Sequence, residues 1–475
     1  MSDATHPNLV YVFADQLRRS ACGFAGDERA RTPRIDALAR EGVEFRNAVS
    51  GHPVCAPYRA SLFTGKYSSS TGMVINELRM NTSHECFAHV LKRAGYDVPY
   101  IGKWHLYANQ LGHHDDPRNS HIPRGPDRLG FDDYWAAYNF HHRYYDTYYH
   151  EESPEKMAYP EGAYEPDAQT DMAIAQLRQA ARRESPFALF LSLGTPHDPW
   201  SPDNVPGEYL APFADVDFAL PPNYKAQNDP HADTWAVLGP AQRTKLSEWM
   251  RVYYAMTANL DWNVGRLADE LDNLGLSENT ILVFTSDHGE MFGAQGRRAK
   301  NIFYEEAARV PFIVRWPRTL SSGMTPDACL NTPDIMPTLL SLMGLGIPET
   351  VEGTDLSHCA RGEDGPEPEA AFMQGMGCTA DWVDGHEWRA VRTKTHTYAR
   401  FRVDGLEVLY DNVADPFQTA DLAPDPAHGQ LLSRLRDLMQ QRMSELSDSV
   451  EACTWYRDNW TENRIIRRTA TLGAR

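Results

Sequence analysis

Cys55 stands ahead of Pro57 and Arg59 in Cys55-Ala56-Pro57-Tyr58-Arg59, which runs on through Ala60-Ser61-Leu62-Phe63-Thr64-Gly65. Proline has a fixed φ and no N–H, so Pro57 suits the first turn of a helix. Gly65 suits its C-terminal stop. Cys55 then sits at a helix N-terminus, where unpaired N–H groups and the macrodipole favour negative charge. Arg59 lies four residues on, one turn along the same face. A nucleophile beside a fixed guanidinium at such a place suits an oxyanion substrate, a sulfate or a phosphate. A buried cysteine before an ordinary helix shares this local pattern, so the rest of the chain must decide.

Four further groups of reactive side chains end apolar runs of strand length. Asn8-Leu9-Val10-Tyr11-Val12-Phe13-Ala14 ends in Asp15-Gln16, and Val98-Pro99-Tyr100-Ile101 in Gly102-Lys103-Trp104-His105. The run from Pro186 to Leu193 ends in Gly194-Thr195-Pro196-His197, and Thr280–Thr285 in Ser286-Asp287-His288. Continuous apolar runs read as strands buried on both faces of a parallel sheet, and such sheets bind ligands at the carboxyl ends of their strands. One polar ending is commonplace; four beside the Cys55 helix point to a site.

The elements that would hold these ends follow from pattern. Helices are predicted over 32–42 (Thr32 as N-cap, Pro33 at N1, Gly42 as stop), 83–94, 167–183, 241–274 and 334–343. Short strands begin at Val43 and Val310. Residues 106–165 and 199–240 show no period and read as insertions over the sheet. After about residue 365, alternating segments such as 388–393 and 397–401 predict an antiparallel sheet, followed by a helix over 428–446. The expected architecture is α/β: a large mixed, mostly parallel sheet sandwiched by helices over 1–365, a smaller C-terminal α+β subdomain over 366–451, and a tail over 452–475.

Composition narrows the partners. The 475-residue chain is 42% hydrophobic and 23% charged, as soluble globular proteins are. Its formal net charge of −19 argues against nucleic acid and anionic membranes. An anionic substrate must therefore be drawn by local metal, Arg or Lys. The first residues carry no basic segment followed by an apolar run, and no stretch is long enough to span a membrane. Seven scattered cysteines (Cys22, Cys55, Cys86, Cys329, Cys359, Cys378, Cys453) without a Cys-x-x-Cys pair predict neither a disulfide framework nor a zinc ribbon. Cytoplasmic residence is the expectation.

The Cys55 stretch resembles the Cys-x-Pro-x-Arg signature of the type I, formylglycine-dependent sulfatases, with Tyr58 where the usual serine stands. The resemblance covers most of the chain. It includes Pro33-x-Ile35-Asp36-x-Leu38-Ala39-x-Glu41-Gly42, Gly102-Lys103-Trp104-His105, Thr195-Pro196-His197 and Ser286-Asp287-His288-Gly289. It continues through Tyr304-Glu305-Glu306 before Val310-Pro311, and Leu409-Tyr410-Asp411-Asn412-x-x-Asp415-Pro416. It implies an alkaline-phosphatase-like fold and hydrolysis of a sulfate ester. It also implies that a maturation enzyme oxidises Cys55 to formylglycine, whose hydrate attacks sulfur. Asp15, Gln16, Asp287 and His288 match the family's metal ligands, in a Gln/His version that resembles choline sulfatases and phosphonate monoester hydrolases. Ca²⁺ is the expected ion, with Mn²⁺ next. By the same resemblance Arg59 and Lys103 hold the nucleophile. His197 and Lys300 face the sulfate and the leaving oxygen, His105 takes the final proton, and Asn76 contacts the sulfate.

Several residues keep a plainer alternative. Lys300, in Gly296-Arg297-Arg298-Ala299-Lys300-Asn301, would also fit a solvated basic loop. His52 reads as structural, and His113-His114-Asp115-Asp116 as a solvated loop. The aromatic segment Tyr134–His150 could stack on sugar or aryl rings, or simply pack. The substrate is therefore a carbohydrate sulfate or a small organic sulfate. A phosphonate or phosphate diester hydrolase on the same residues is the second reading. A sulfated-ligand-binding protein with unmodified Cys55 is a third, but a binder needs no leaving-group acid. The tail carries Trp455, Tyr456, Trp460, Ile465 and Ile466 with Arg457, Arg464, Arg467 and Arg468. Such residues anchor interfaces, and the resemblance favours a neighbouring copy as the docking surface, hence a homo-oligomer, dimer or tetramer.

Overall fold

All eight residues of strand β1 (Asn8–Asp15) are buried, because the strand lies at the centre of a sheet covered on both faces. Leu9, Tyr11 and Phe13 face one core, with helices Cys55–Thr64, Phe87–Arg93 and Thr332–Leu342. Val10, Val12 and Ala14 face the other, with helices Pro33–Glu41, Glu165–Ala180 and Leu246–Asn273. Alternation by two along the strand thus feeds two cores. Burying one large apolar side chain is worth roughly 1.5–3 kcal/mol, so β1 and the Asp15 at its end are held from both sides. The computed structural model describes residues 6–108 and 112–470.

In chain order the remaining strands of the catalytic region are β2 (Val43–Glu44), β3 (Tyr100–Lys103), β4 (Trp135–Tyr138), β5 (Tyr148–Tyr149), β6 (Met157–Ala158), β7 (Ala188–Pro196), β8 (Thr280–Ser286) and β9 (Phe312–Arg315). The seven-stranded sheet runs β2-β9-β8-β1-β7-β3-β4. β8, β1, β7, β3 and β4 are mutually parallel; at one edge β9 runs antiparallel to β8, and β2 antiparallel to β9. β5 and β6 form a separate small hairpin. A second sheet, β10 (Ala370–Gly375), β11 (Trp388–Thr393), β12 (His396–Phe401) and β13 (Glu407–Asp411), is antiparallel in that order. Helix Gly429–Glu445 packs on it through Leu432, Leu435 and Met439. This is the expected mixed α/β fold with a smaller C-terminal sheet region. Among the described residues no helix is long and apolar enough to cross a membrane, and all seven cysteines are buried and unpaired.

Three expectations need correction. Trp135–Tyr138 is not insertion but the edge strand β4, paired with β3; four residues without polar alternation carry no strand signal. The long helix is split, with a short turn at Pro240–Arg243 before Leu246–Asn273. The tail does not hold its aromatics free for a neighbouring copy. Tyr456, Trp460 and Ile466 are 0%, 6% and 1% exposed in the chain's own core. Helix Cys453–Trp460 and the hairpin β14 (Thr461–Glu462) and β15 (Ile465–Ile466) lie along residues 69–81. There Arg79 N donates to Arg464 O (2.8 Å), Ile466 N to Arg79 O (3.0 Å) and Ala470 N to Ser70 O (2.8 Å). Local backbone partners and an apolar surface were available within the chain, so the motive for an intermolecular contact is met internally.

Candidate active site

Five elements converge on Cys55. It is the first residue of helix Cys55–Thr64, which ends at Gly65 with φ 64°. The residue before the helix supplies no side-chain cap; instead Asn76 Oδ1 accepts from Ala56 N at 2.9 Å. Tyr58, where a serine was usual, is buried with its hydroxyl 3.3 Å from that of Tyr11 on β1. Lys103 ends β3, and Gly102 lets that strand approach: its φ is 101°, and a Cβ there would lie 2.0 Å from Ser192 O on β7. His197 follows β7, and Asp287 and His288 follow β8. Lys300 comes from the loop after them, tied down where Asn301 N donates to Pro53 O at 3.0 Å and Ala299 N to Glu290 Oε1 at 2.8 Å.

The distances define a compact charged centre. Cys55 Sγ lies 3.2 Å from His288 Nε2, 3.8 Å from Asp15 Oδ1 and 3.4 Å from Lys300 Nζ. Lys300 Nζ also donates to Gln16 Oε1 (2.7 Å) and contacts His197 Nε2 at 2.8 Å. Lys103 Nζ donates to Asp15 Oδ2 at 2.5 Å. Arg59 does not reach the sulfur through a hydrogen bond. Its Nη1 donates to Lys103 O and Ser192 Oγ, both at 2.7 Å. Its Nη2 lies 3.5 Å from Asp15 Oδ2 and 3.6 Å from Asp287 Oδ2. The guanidinium therefore balances the two carboxylates from behind.

The electrostatics follow from this packing. Burial alone would raise the Cys55 thiol, but Lys103, Lys300 and His288 overcome it and hold it well below its ordinary value. Anionic charge at this position is thus favoured. Burial, then the nearby Asp15, pushes the Asp287 carboxyl up. Burial and Lys300 push His197 down, yet Asp198 and Asp15 outweigh them and raise it to about 9. The contact between Lys300 and His197 needs one of the two nitrogens to lack its proton, so the pair behaves as a single acid.

The residues fit a divalent cation. Ligand atoms of Asp15, Cys55, Asp287 and His288 all lie within 4.8 Å of one another. Asp287 Oδ2 is buried without a hydrogen-bond partner, the Arg59 guanidinium standing at 3.6 Å beside it, so its lone pairs are free for a bound cation. His288 Nδ1 contacts Gly289 O at 3.0 Å, so Nδ1 carries the proton and Nε2 offers its lone pair to the cluster. Gln16 sits differently from a simple ligand: its Nε2 donates to Glu290 Oε2 at 2.7 Å while its Oε1 is engaged by Lys300. Its backbone, at φ 71°, also donates N–H to Asp287 Oδ1 at 2.9 Å.

A cavity of about 370 Å³ opens over this centre, within the range of small-molecule sites. Gln16, Cys55, Asn76, His197 and Lys300 line it, joined by Phe140 and His142 of the aromatic segment, by His114 and Arg298, and by residues that sequence reasoning left out: Glu77, Trp235, Thr379 and Ala380. The loop that carries His113 and Asp115 is solvated as expected, and its His114 also forms part of the wall. His142 is half-buried and stacks on His197 at 3.7 Å between ring centres. Most tyrosines of the aromatic segment are packing: Tyr138 and Tyr144 are fully buried. His52 is structural, its Nδ1 2.8 Å from Ser68 Oγ.

Comparison with known proteins bears on the chemistry. Residues 7–345 match the sulfatase family, and residues 293–445 match the C-terminal region of N-sulphoglucosamine sulphohydrolase. The chain is 37% identical over 458 residues to an ulvan-active sulfatase of Formosa agariphila, covering 96% of this chain and 84% of that one. It is 28% identical to an endo-4-O-sulfatase of Bacteroides thetaiotaomicron, over 97% and 96% of the two chains. The crystal structure of a putative sulfatase, yidJ, from Bacteroides fragilis superposes with a TM-score of 0.80 at 29% identity, over 96% and 98%. Likeness of sequence and of fold runs the length of the chain, and the protein belongs to the sulfatase family of the alkaline-phosphatase-like superfamily, the sulfuric ester hydrolases.

Proposed function

We propose that the protein removes sulfate from a sulfated carbohydrate, with Cys55, once matured to formylglycine, as the nucleophile. The observation that carries this reading is the meeting of nucleophile and acid on one ammonium: Lys300 Nζ is 3.4 Å from Cys55 Sγ and 2.8 Å from His197 Nε2. The names of the related proteins, which act on sulfated sugars and polysaccharides, support the carbohydrate. So does Trp235, 44% exposed on the cavity wall, as a ring on which a sugar can stack.

The residue roles follow from position. Asp15, Asp287 and His288, with Gln16 beside them, would hold a divalent cation, Ca²⁺ ahead of Mn²⁺ given the oxygen-rich set. Such an ion, when bound, supplies Lewis-acid polarisation of the sulfate and of the nucleophile. Lys103, paired with Asp15, keeps positive charge beside the nucleophile, and Arg59 balances Asp15 and Asp287 from behind, so the centre can accept an anionic group. The Lys300–His197 pair holds the proton that the leaving alcohol needs. His105, buried beside Cys55, accepts a proton from the Cys55-derived group after the alcohol has left. The N–H groups of Asn76, whose carbonyl is spent on Ala56, are left to meet the sulfate.

The test is sulfate release from a panel of sulfated monosaccharides, choline sulfate and aryl sulfates, with matched phosphonate monoesters, using protein co-expressed with a formylglycine-generating enzyme. A sulfated sugar is expected to lead in kcat/KM, at least 100-fold above the matched phosphonate. A phosphonate in first place would replace the reaction class, and choline sulfate in first place would replace the carbohydrate.

A further inference from the structure

Glu77 takes part in no step above, yet its carboxylate is buried against His105, the histidine that must keep one nitrogen free. Glu77 Oε1 lies 3.1 Å from His105 Nε2, with the two side chains 4% and 0% exposed. An ionised carboxylate only accepts, so Nε2 carries the proton and Nδ1 keeps the lone pair. His105 Nδ1 is buried without a hydrogen-bond partner, and Phe140 stacks on the ring at 4.4 Å. Burial would raise the Glu77 carboxyl, but His105, His114 and Arg464 together hold it below its ordinary value.

The backbone tells the same story. Glu77 and His105 both adopt left-handed conformations, φ 61° and 59°, which residues other than glycine keep only where the surroundings impose them. For Glu77 the surroundings come from the C-terminal tail. Arg464 Nε donates to Glu77 O at 2.5 Å, and its Nη2 donates to Asn76 O at 3.1 Å and Ala380 O at 2.9 Å. One guanidinium thus ties together three backbone carbonyls of cavity-lining residues.

We propose that Glu77 is the positioning residue for His105, fixing its tautomer and ring, and that Arg464 of the tail locks Glu77 in place. The inference rests on the reading of His105 as proton acceptor given above. It makes the far end of the chain part of the support of its own active site.

The experiment compares Glu77→Ala, Glu77→Gln, Arg464→Ala, His105→Ala and the double variant Glu77→Ala/His105→Ala on one sulfate ester. Cys55 conversion and melting temperature are matched or recorded for each. Glu77→Ala is expected to lower kcat about 10- to 100-fold, as loss of an orienting partner does, with KM within threefold. Glu77→Gln, which keeps an acceptor for Nε2–H, should recover most of that loss. Arg464→Ala should move kcat in the same direction and spare KM. In the His105→Ala background the Glu77 change should alter kcat less than twofold, because it acts through His105. Wild-type kcat in Glu77→Ala alongside an inactive His105→Ala would overturn the proposal. So would an effect on KM alone, or full additivity in the double variant. Full activity in His105→Ala would instead overturn the role of His105.

Discussion

Glu305 welds the C-terminal sheet to the catalytic region, and the cost of breaking that weld can be worked out. Its carboxylate accepts from Arg392 Nε at 2.7 Å and Nη2 at 3.0 Å, a bidentate pair from β11, and from Arg309 Nη1 at 3.3 Å. Arg392 is 2% exposed and Glu305 11%. Burial would raise the Glu305 carboxyl, but Arg392 and then Arg309 outweigh it and lower it from its ordinary 4.5 to about 2. A depression of that size amounts to about 3 kcal/mol at pH 7. Mutational experience with one partner of a buried pair removed gives about 3–5 kcal/mol, so the two routes agree. The folded value is depressed, so the stabilisation is complete above about pH 4.5 and drains away as pH falls toward 2. At pH 4 linkage leaves about three-quarters of it. Glu305→Gln keeps the size and strands the Arg392 charge. Its urea midpoint should therefore fall by the equivalent of about 3 kcal/mol at pH 7, the gap to wild type narrowing by about a quarter at pH 4. Glu305→Gln/Arg392→Met should regain part of the loss by removing the lone charge. A penalty below about 1 kcal/mol at pH 7, or a gap that widens in acid, would refute the reasoning.

Other perturbations follow from the site and the tail. Lys300→Ala should lower kcat about 10²- to 10⁴-fold on alkyl or sugar sulfates and less on aryl sulfates whose leaving groups need no proton; equal losses across leaving groups would remove Lys300 from the acid role. Chelation should lower the melting temperature and added Ca²⁺ restore it, by about 2.7 kcal/mol at 100 times Kd, because Asp15 and Asp287 are both fully buried; a melting curve indifferent to metal, or Asp287→Asn protein that still responds, would contradict the ligand set. Ending the chain at Glu451 removes Tyr456, Trp460 and Ile466 from the core, each worth roughly 1.5–3 kcal/mol, so that chain should melt far lower or fail to stay soluble; an equally stable truncated protein would show the tail to be dispensable.

The strand ends were legible because physics puts them there. A strand buried on both faces must read as an unbroken apolar run, and the first polar residues after it must sit at the rim of the sheet. Asp15, Lys103, His197 and Asp287 were found that way, and the Cys55 helix by its proline, arginine and terminal glycine. Arg59 lies in the cluster but faces the carboxylates more than the sulfur, a distinction that spacing along a helix cannot make. β4 was missed because four residues, Trp135–Tyr138, are too few to show a period. Glu77 was missed because its importance lies in what it touches, a histidine distant in sequence, and the aromatic segment was noticed without its contact from His142 to His197. The tail misled in a similar way: aromatic and arginine-rich composition says that a segment docks, and only the surface along residues 69–81 says where.

The central claim is that turnover depends on Cys55 in its matured form. Protein prepared with graded amounts of a formylglycine-generating enzyme can be divided in two. One portion is digested and the peptide spanning residues 47–59 is weighed by mass spectrometry for the fraction of Cys55 converted; the other is assayed for sulfate release. The account predicts that the initial rate rises in proportion to the converted fraction, on a line through the origin. Full activity from protein in which Cys55 is unconverted would contradict it.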